Sequence, residues 1–79
     1  MTKREIYRFV DTLGPPGFIL NFTKQTLEDF IFDLVGLELE DYQVLGKSNG
    51  KRLTALLVAE PRHVTTIVEA LTKIQKEDI

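Results

Sequence analysis

Residues 61–76, PRHVTTIVEALTKIQK, contain the most regular hydrophobic pattern in the chain. Pro61 suits the first turn of a helix, where its missing N–H removes no hydrogen bond. Lys73 and Lys76 suit the negative end of the helix dipole. The apolar residues recur at the spacing of one helix face: Val64, Ile67, Val68, Leu71 and Ile74. The stretch therefore predicts an amphipathic helix over residues 61–76.

A helix is also predicted over Lys3–Leu13, where apolar residues again follow the helical period. Thr2 and Glu5 have the spacing of a capping box, in which each side chain bonds the other residue's backbone N–H. Gly14 then stops the helix and Pro15 prevents its continuation.

Two more helices are predicted between these. One covers Lys24–Val35, with Thr23 as its N-cap and Gly36 as the left-handed residue that ends it. The other covers Lys51–Ala59 and is broken by Pro61. Its inward residues are predicted to be Leu53, Leu56 and Leu57.

Short segments between the helices are ambiguous. Phe18–Leu20 suits a brief strand or a helical turn, and a turn whose side chains fill the core is favoured. Leu37–Glu40 alternates like a strand, whereas Leu39, Tyr42, Val44 and Leu45 suit a short helix ending at Gly46. Gly46–Gly50 is predicted to be a loop.

These elements predict one all-α domain over residues 1–79, a compact bundle of four to six short helices. The domain is either a complete small protein or part of a longer one. Cysteine is absent, which excludes disulfides and thiolate metal sites. We expect a cytoplasmic protein without membrane segments.

Charge is distributed unevenly along the chain. Residues 27–46 contain six acids and no base, and residues 47–62 contain four bases and one acid. The predicted acidic interaction surface consists of Asp29, Asp33, Glu38, Glu40 and Asp41. The predicted basic one consists of Lys47, Lys51, Arg52 and Arg62. Phe32 is off the main apolar stripe of its helix. A core position is still favoured for it, but among the aromatic residues it is the one that we most expect to be exposed to a partner.

Catalytic and metal-binding patterns are not evident. The acids lack the alternating ligands and central glycine of a calcium loop, so a solvated face is favoured over a metal site. Residues 46–52, GKSNGKR, have one residue too few for a phosphate loop and lack its final Ser or Thr. His63 has no motif that connects it to a nucleophile. We therefore expect no enzyme, cofactor or small-molecule substrate.

Three segments resemble the small N-terminal helical domain of some bacterial abortive-infection and related conflict-system proteins. They are Gly17–Thr23 (GFILNFT), Asp29–Gly36 (DFxxDxxG) and Gly46–Leu56 (GxxxGKRLxxL). The resemblance implies a death-like, effector-associated adaptor that couples a sensor to an effector through like-with-like contacts. It also implies a role in antiviral defence without intrinsic catalysis.

The leading functional prediction is a protein–protein interaction domain that binds itself or another helical adaptor domain. In this interpretation Arg52→Glu weakens assembly without unfolding the domain. The alternative is a small nucleic-acid-binding regulatory module that uses the basic residues. The net charge of -2 and pI near 5.3 disfavour nucleic acid, because such binders are usually basic.

Overall fold

The computed structural model describes residues 1–77 of the chain, and every regular element among them is helical. The four α-helices are α1 (Lys3–Asp11), α2 (Lys24–Val35), α3 (Asn49–Ala59) and α4 (Val64–Glu77). Two 3₁₀ turns, Leu39–Asp41 and Pro61–His63, complete the elements. The predicted all-α bundle of four to six short helices is confirmed.

Helix α3 is the centre of the bundle. It packs against α1 and both 3₁₀ turns, while α2 packs against α4 and the first 3₁₀ turn. A helix that is buried around its whole circumference belongs to the interior of a bundle. The buried residues of α3 are Gly50, Arg52, Leu53, Thr54, Ala55, Leu56 and Leu57. The predicted inward face of three leucines was therefore too narrow.

The predicted starts of α1 and α2 agree with the hydrogen bonds at their N-termini. The helix predicted from Pro61 instead begins with the second 3₁₀ turn and becomes α-helical at Val64. The backbone N–H of Thr2 donates to Glu5 Oε1 over 2.9 Å, and that of Glu5 donates to Thr2 Oγ1 over 3.2 Å. Thr23 and Thr26 form the same reciprocal pair at the start of α2. Gly36 ends α2 with a φ of 74°, a left-handed conformation that glycine adopts without steric cost.

Helix α1 is shorter than predicted. It ends at Asp11 rather than Leu13, and the Thr12 hydroxyl donates to the carbonyl of Phe9 over 2.6 Å. Leu13 is nevertheless buried, so its hydrophobic position was predicted correctly although it lies outside the helix. Helix α3 starts earlier than predicted, with Ser48 as its N-cap.

The ambiguous segments are turns. Within Phe18–Leu20, Ile19 is fully buried as expected, but the Phe18 side chain is 62 % exposed and does not fill the core. The helix suggested up to Gly46 is wrong, because helical geometry stops at Asp41. Leu39 is buried, whereas Val44 is 88 % exposed.

None of the helices within residues 1–77 combines the length and the hydropathy needed to cross a bilayer.

Candidate protein-interaction surfaces

Four of the five predicted acidic residues line one groove. Asp29 and Asp33 are one helical turn apart on α2. Glu38 directly precedes the first 3₁₀ turn, and Glu40 lies within it. The groove has a volume of about 450 Å³. We call it the acidic groove, and its lining is Gln25, Glu28, Asp29, Phe32, Asp33, Glu38 and Glu40.

The fifth predicted residue, Asp41, does not line this groove. It is exposed at the end of the first 3₁₀ turn, next to Tyr42. Within residues 1–77, no group of three or more His, Cys, Asp or Glu side chains is placed to hold a metal ion. The groove therefore presents negative charge to whatever binds there.

Phe32 lies within the acidic groove and is 50 % exposed. The core position that was favoured for this residue is therefore wrong, and its side chain is accessible from solvent. Asp29 precedes it by three residues and Asp33 follows it, so an apolar ring is flanked by two carboxylates. Two other aromatic side chains, Tyr7 and Phe18, are also exposed, and neither exposure was predicted from the sequence. Phe18 follows a turn and interrupts no helical pattern that could have indicated it.

Arg52 is fully buried, so its assignment to the basic surface is wrong. Its Nη1 lies 3.5 Å from Glu28 Oε2, and its Nη2 donates to Asn49 Oδ1 over 2.7 Å. Neither Nε nor Nη1 has a hydrogen-bond partner. The contact with Glu28 is therefore a charge pair without a hydrogen bond, and it links α3 to α2 beneath the acidic groove.

One signal in the sequence could have indicated this burial. Arg52 is followed by seven uncharged residues, 53–59, which is typical of a helix with no solvated face. A cation in such a helix is expected to pair with an acid inside the protein, because an isolated buried charge is very unfavourable.

The remaining predicted bases do not form one surface. Lys47 and Lys51 are exposed near the start of α3, and the Lys51 side chain packs over Gly46, where a Cβ would collide with it. Arg62 follows the other end of the helix. Because α3 rises about 1.5 Å per residue, Lys51 and Ala59 are separated by about 12 Å along its axis.

Arg62 belongs to a different group of charges. Its Nε lies 4.0 Å from Glu60 Oε1, and its side chain is 76 % exposed. Such exposed pairs contribute little to stability. The basic surface therefore consists of Lys47 and Lys51 alone, which we call the lysine pair. The alternative nucleic-acid module loses two of its four predicted contacts.

Tyr42 connects the segment after the first 3₁₀ turn to the end of α3. Its hydroxyl donates to Glu60 Oε2 over 2.7 Å. This hydrogen bond, together with burial and the charge of Glu60, raises the pKa of Tyr42 above its ordinary value. The bond ties the segment that carries Glu40 to the central helix, which helps to fix one wall of the acidic groove.

A second groove, with apolar walls, lies between α1 and the start of α3. Its volume is about 390 Å³. Tyr7 and Leu45 are each 45 % exposed. We call it the apolar groove, and its lining is Tyr7, Val10, Asp11, Pro16, Gly17, Leu45, Gly50, Lys51 and Thr54.

The apolar groove could not be derived from hydrophobic periodicity. It depends on a close contact between the turn and α3, in which the Gly50 N–H donates to the Gly17 carbonyl over 3.2 Å. A Cβ on Gly50 would lie 3.3 Å from the Gly17 Cα. Two glycines far apart in sequence thus allow the backbones to approach, and no local pattern indicates that they meet.

Comparison of the chain with protein-family models, curated proteins and solved structures finds no match. Function is therefore inferred from the geometry of the two grooves and the lysine pair.

Proposed function

We propose that this chain is a protein–protein interaction domain that binds further copies of itself, or another helical adaptor domain, through complementary charged surfaces. One observation supports this most strongly. The acidic groove and the lysine pair are formed by different elements, and each lies beside exposed apolar side chains.

Charge and apolar area have different roles in such a contact. Exposed ion pairs contribute about 0–1 kcal/mol each, so the carboxylates and lysines alone give little affinity. Complementary charge instead accelerates encounter and fixes orientation. The exposed apolar side chains, Phe32 in the acidic groove and Leu45 near the lysine pair, supply area that association can remove from water.

The two surfaces are not the same patch of the protein. The linings of the acidic groove and the apolar groove share no residue. A contact that joins one to the other is therefore heterologous, and repetition of it yields a closed ring or an open filament. Such an assembly suits an adaptor that brings copies of attached domains together.

The biological setting that we propose is bacterial antiviral defence by abortive infection. It is supported by the resemblance of Gly17–Thr23, Asp29–Gly36 and Gly46–Leu56 to the small helical domain of those systems. In this setting the domain is a cytoplasmic adaptor without catalytic activity of its own.

The test of the charged contact is sedimentation equilibrium of three variants at low salt. Asp33→Lys and Lys51→Glu each remove one side of the contact and should weaken self-association. Lys73→Glu is the matched control, because Lys73 is an exposed lysine of α4 that borders neither groove. Equal self-association of all three variants would contradict the proposal.

A further inference from the structure

We infer that the apolar groove is the receptor for Phe32 of a neighbouring copy of this chain, with the flanking carboxylates of that copy next to Lys51. This inference specifies the contact of the proposed function and depends on it. It identifies an inserted side chain, a receiving groove and the orientation in which they meet.

Phe32 has the features of an inserted residue. Half of its surface is exposed although it lies on a helix whose main apolar stripe is buried. Aromatic side chains that fill pockets at the centre of an interface dominate binding energies. The other residues that line its groove are all polar or acidic, so the exposed half of the ring has no apolar neighbour in that groove.

The apolar groove has matching chemistry. Tyr7, Val10, Pro16 and Leu45 supply carbon atoms to its walls, and its volume of about 390 Å³ is open to solvent. Tyr7 is also partly exposed, so an entering phenylalanine ring can pack edge to face against it. The exposed Leu45 is covered by the same insertion.

Charge at the rim selects the orientation. Lys51 lines the apolar groove, and Asp29 and Asp33 flank Phe32. Asp11 lines the same groove and repels carboxylates. The arriving acids must therefore point toward Lys51 and away from Asp11, which defines one register of the contact.

Phe18 is the competing aromatic residue for the same groove. It is more exposed than Phe32, at 62 %. Its sequence neighbours are Gly17 and Ile19, so it carries no carboxylate to place beside Lys51. Charge complementarity therefore favours Phe32 of the second copy, and Phe18→Ala is a matched aromatic control.

The experiment is sedimentation velocity of the whole chain over a range of concentrations. Phe32→Ala removes the inserted ring, and Leu45→Asp places a charge in the groove. Each should weaken self-association by at least about tenfold, as for a residue at the centre of an interface. Phe18→Ala should assemble like the unaltered chain. All three substituted side chains are exposed, so each variant should remain folded, and circular dichroism should be used to check this.

A mixture of two defective variants tests the pairing itself. The Phe32→Ala copy keeps an intact apolar groove, and the Leu45→Asp copy keeps an intact Phe32. Mixed together, they should form a dimer of one copy of each and nothing larger. Absence of this dimer would refute the pairing of Phe32 with the groove.

The remaining outcomes separate this inference from the proposed function. If the unaltered chain is a monomer throughout, self-association is wrong and the inference fails with it. If it assembles and Phe32→Ala assembles equally well, self-association stands and only the inference is wrong. Loss of assembly in Phe18→Ala but not in Phe32→Ala would assign the groove to Phe18.

Discussion

Removing the carboxylate of Glu28 should destabilise the domain far more than removing the guanidinium of Arg52, although the two form one ion pair. Glu28→Ala leaves a fully buried cation whose only remaining partner is Asn49. Loss of one member of a buried pair costs about 3–5 kcal/mol. We expect about 3 kcal/mol, the lower end, because the Glu28 side chain is 15 % exposed and the pair has no hydrogen bond.

Arg52→Met should lower the free energy of unfolding much less than Glu28→Ala does. It removes two buried nitrogen atoms that have no hydrogen-bond partner, together with the hydrogen bond to Asn49. It leaves the Glu28 carboxylate at the edge of the acidic groove, where water can reach it. A methionine occupies a similar path through the core. We therefore expect a loss of about 1 kcal/mol or less, since the groups it leaves behind are not an isolated buried charge.

Thermal unfolding followed by circular dichroism measures the difference. In a domain of this size 1 kcal/mol corresponds to about 4–8 °C, so Glu28→Ala should lower Tm by about 12–24 °C. Asp29→Ala is the control, as an exposed neighbouring acid of α2 whose loss should change stability by no more than about 0.5 kcal/mol. Equal losses of stability for Glu28→Ala and Arg52→Met would show that an unpaired buried cation is not the cause of the Glu28→Ala effect.

The burial of Arg52 also changes the expected outcome of Arg52→Glu. That substitution places a second carboxylate opposite Glu28 with no cation between them. The total stability of a chain of this length is about 4–12 kcal/mol. We expect the variant to be unfolded rather than folded and unable to assemble, which corrects the expectation drawn from the sequence.

Three further perturbations test local features of the fold. Thr23→Ala removes the N-cap of α2 and should cost about 1 kcal/mol in chemical denaturation, whereas an unchanged midpoint would contradict the cap. Tyr42→Phe removes the hydrogen bond to Glu60 and should cost about 1–3 kcal/mol by the same measurement, and no loss would mean that the bond is absent in solution. Hydrogen bonds from Thr2 lower the pKa of Glu5 below its ordinary value. The stability that they contribute is therefore fully present above the ordinary glutamate pKa, and it is lost as the pH falls through the lowered pKa of the folded state. An NMR titration should find the first turn of α1 fraying in acid, and an ordinary Glu5 pKa would contradict this.

The start of α1 and both termini of α2 were predictable because their causes are local. Thr23 begins α2 through hydrogen bonds to nearby residues, and Gly36 ends the helix through its own left-handed backbone conformation. A single sequence therefore suffices to predict both termini. The same holds for the capping box of α1. Hydrophobic periodicity likewise placed the buried residues of α4, because one helical face determines them.

Charged residues were harder to place because their environment depends on distant segments. Arg52 follows a loop and has the composition of an exposed helix start, yet its partner Glu28 is 24 positions earlier on α2. Arg62 lies close to Lys51 in sequence but beyond the opposite end of α3. Four of the predicted acids do line one groove, since Asp29 and Asp33 are one turn apart on α2 and Glu38 and Glu40 follow soon after that helix.

The central claim is that the domain assembles through complementary charged surfaces, and static light scattering of the unaltered chain tests it most directly. Mass should be measured across protein concentration at low salt and at about 0.5 M salt, where exposed charge pairs are largely screened. If copies bind through these surfaces, the mass increases with protein concentration and decreases with salt. A monomer mass under every condition would contradict self-association.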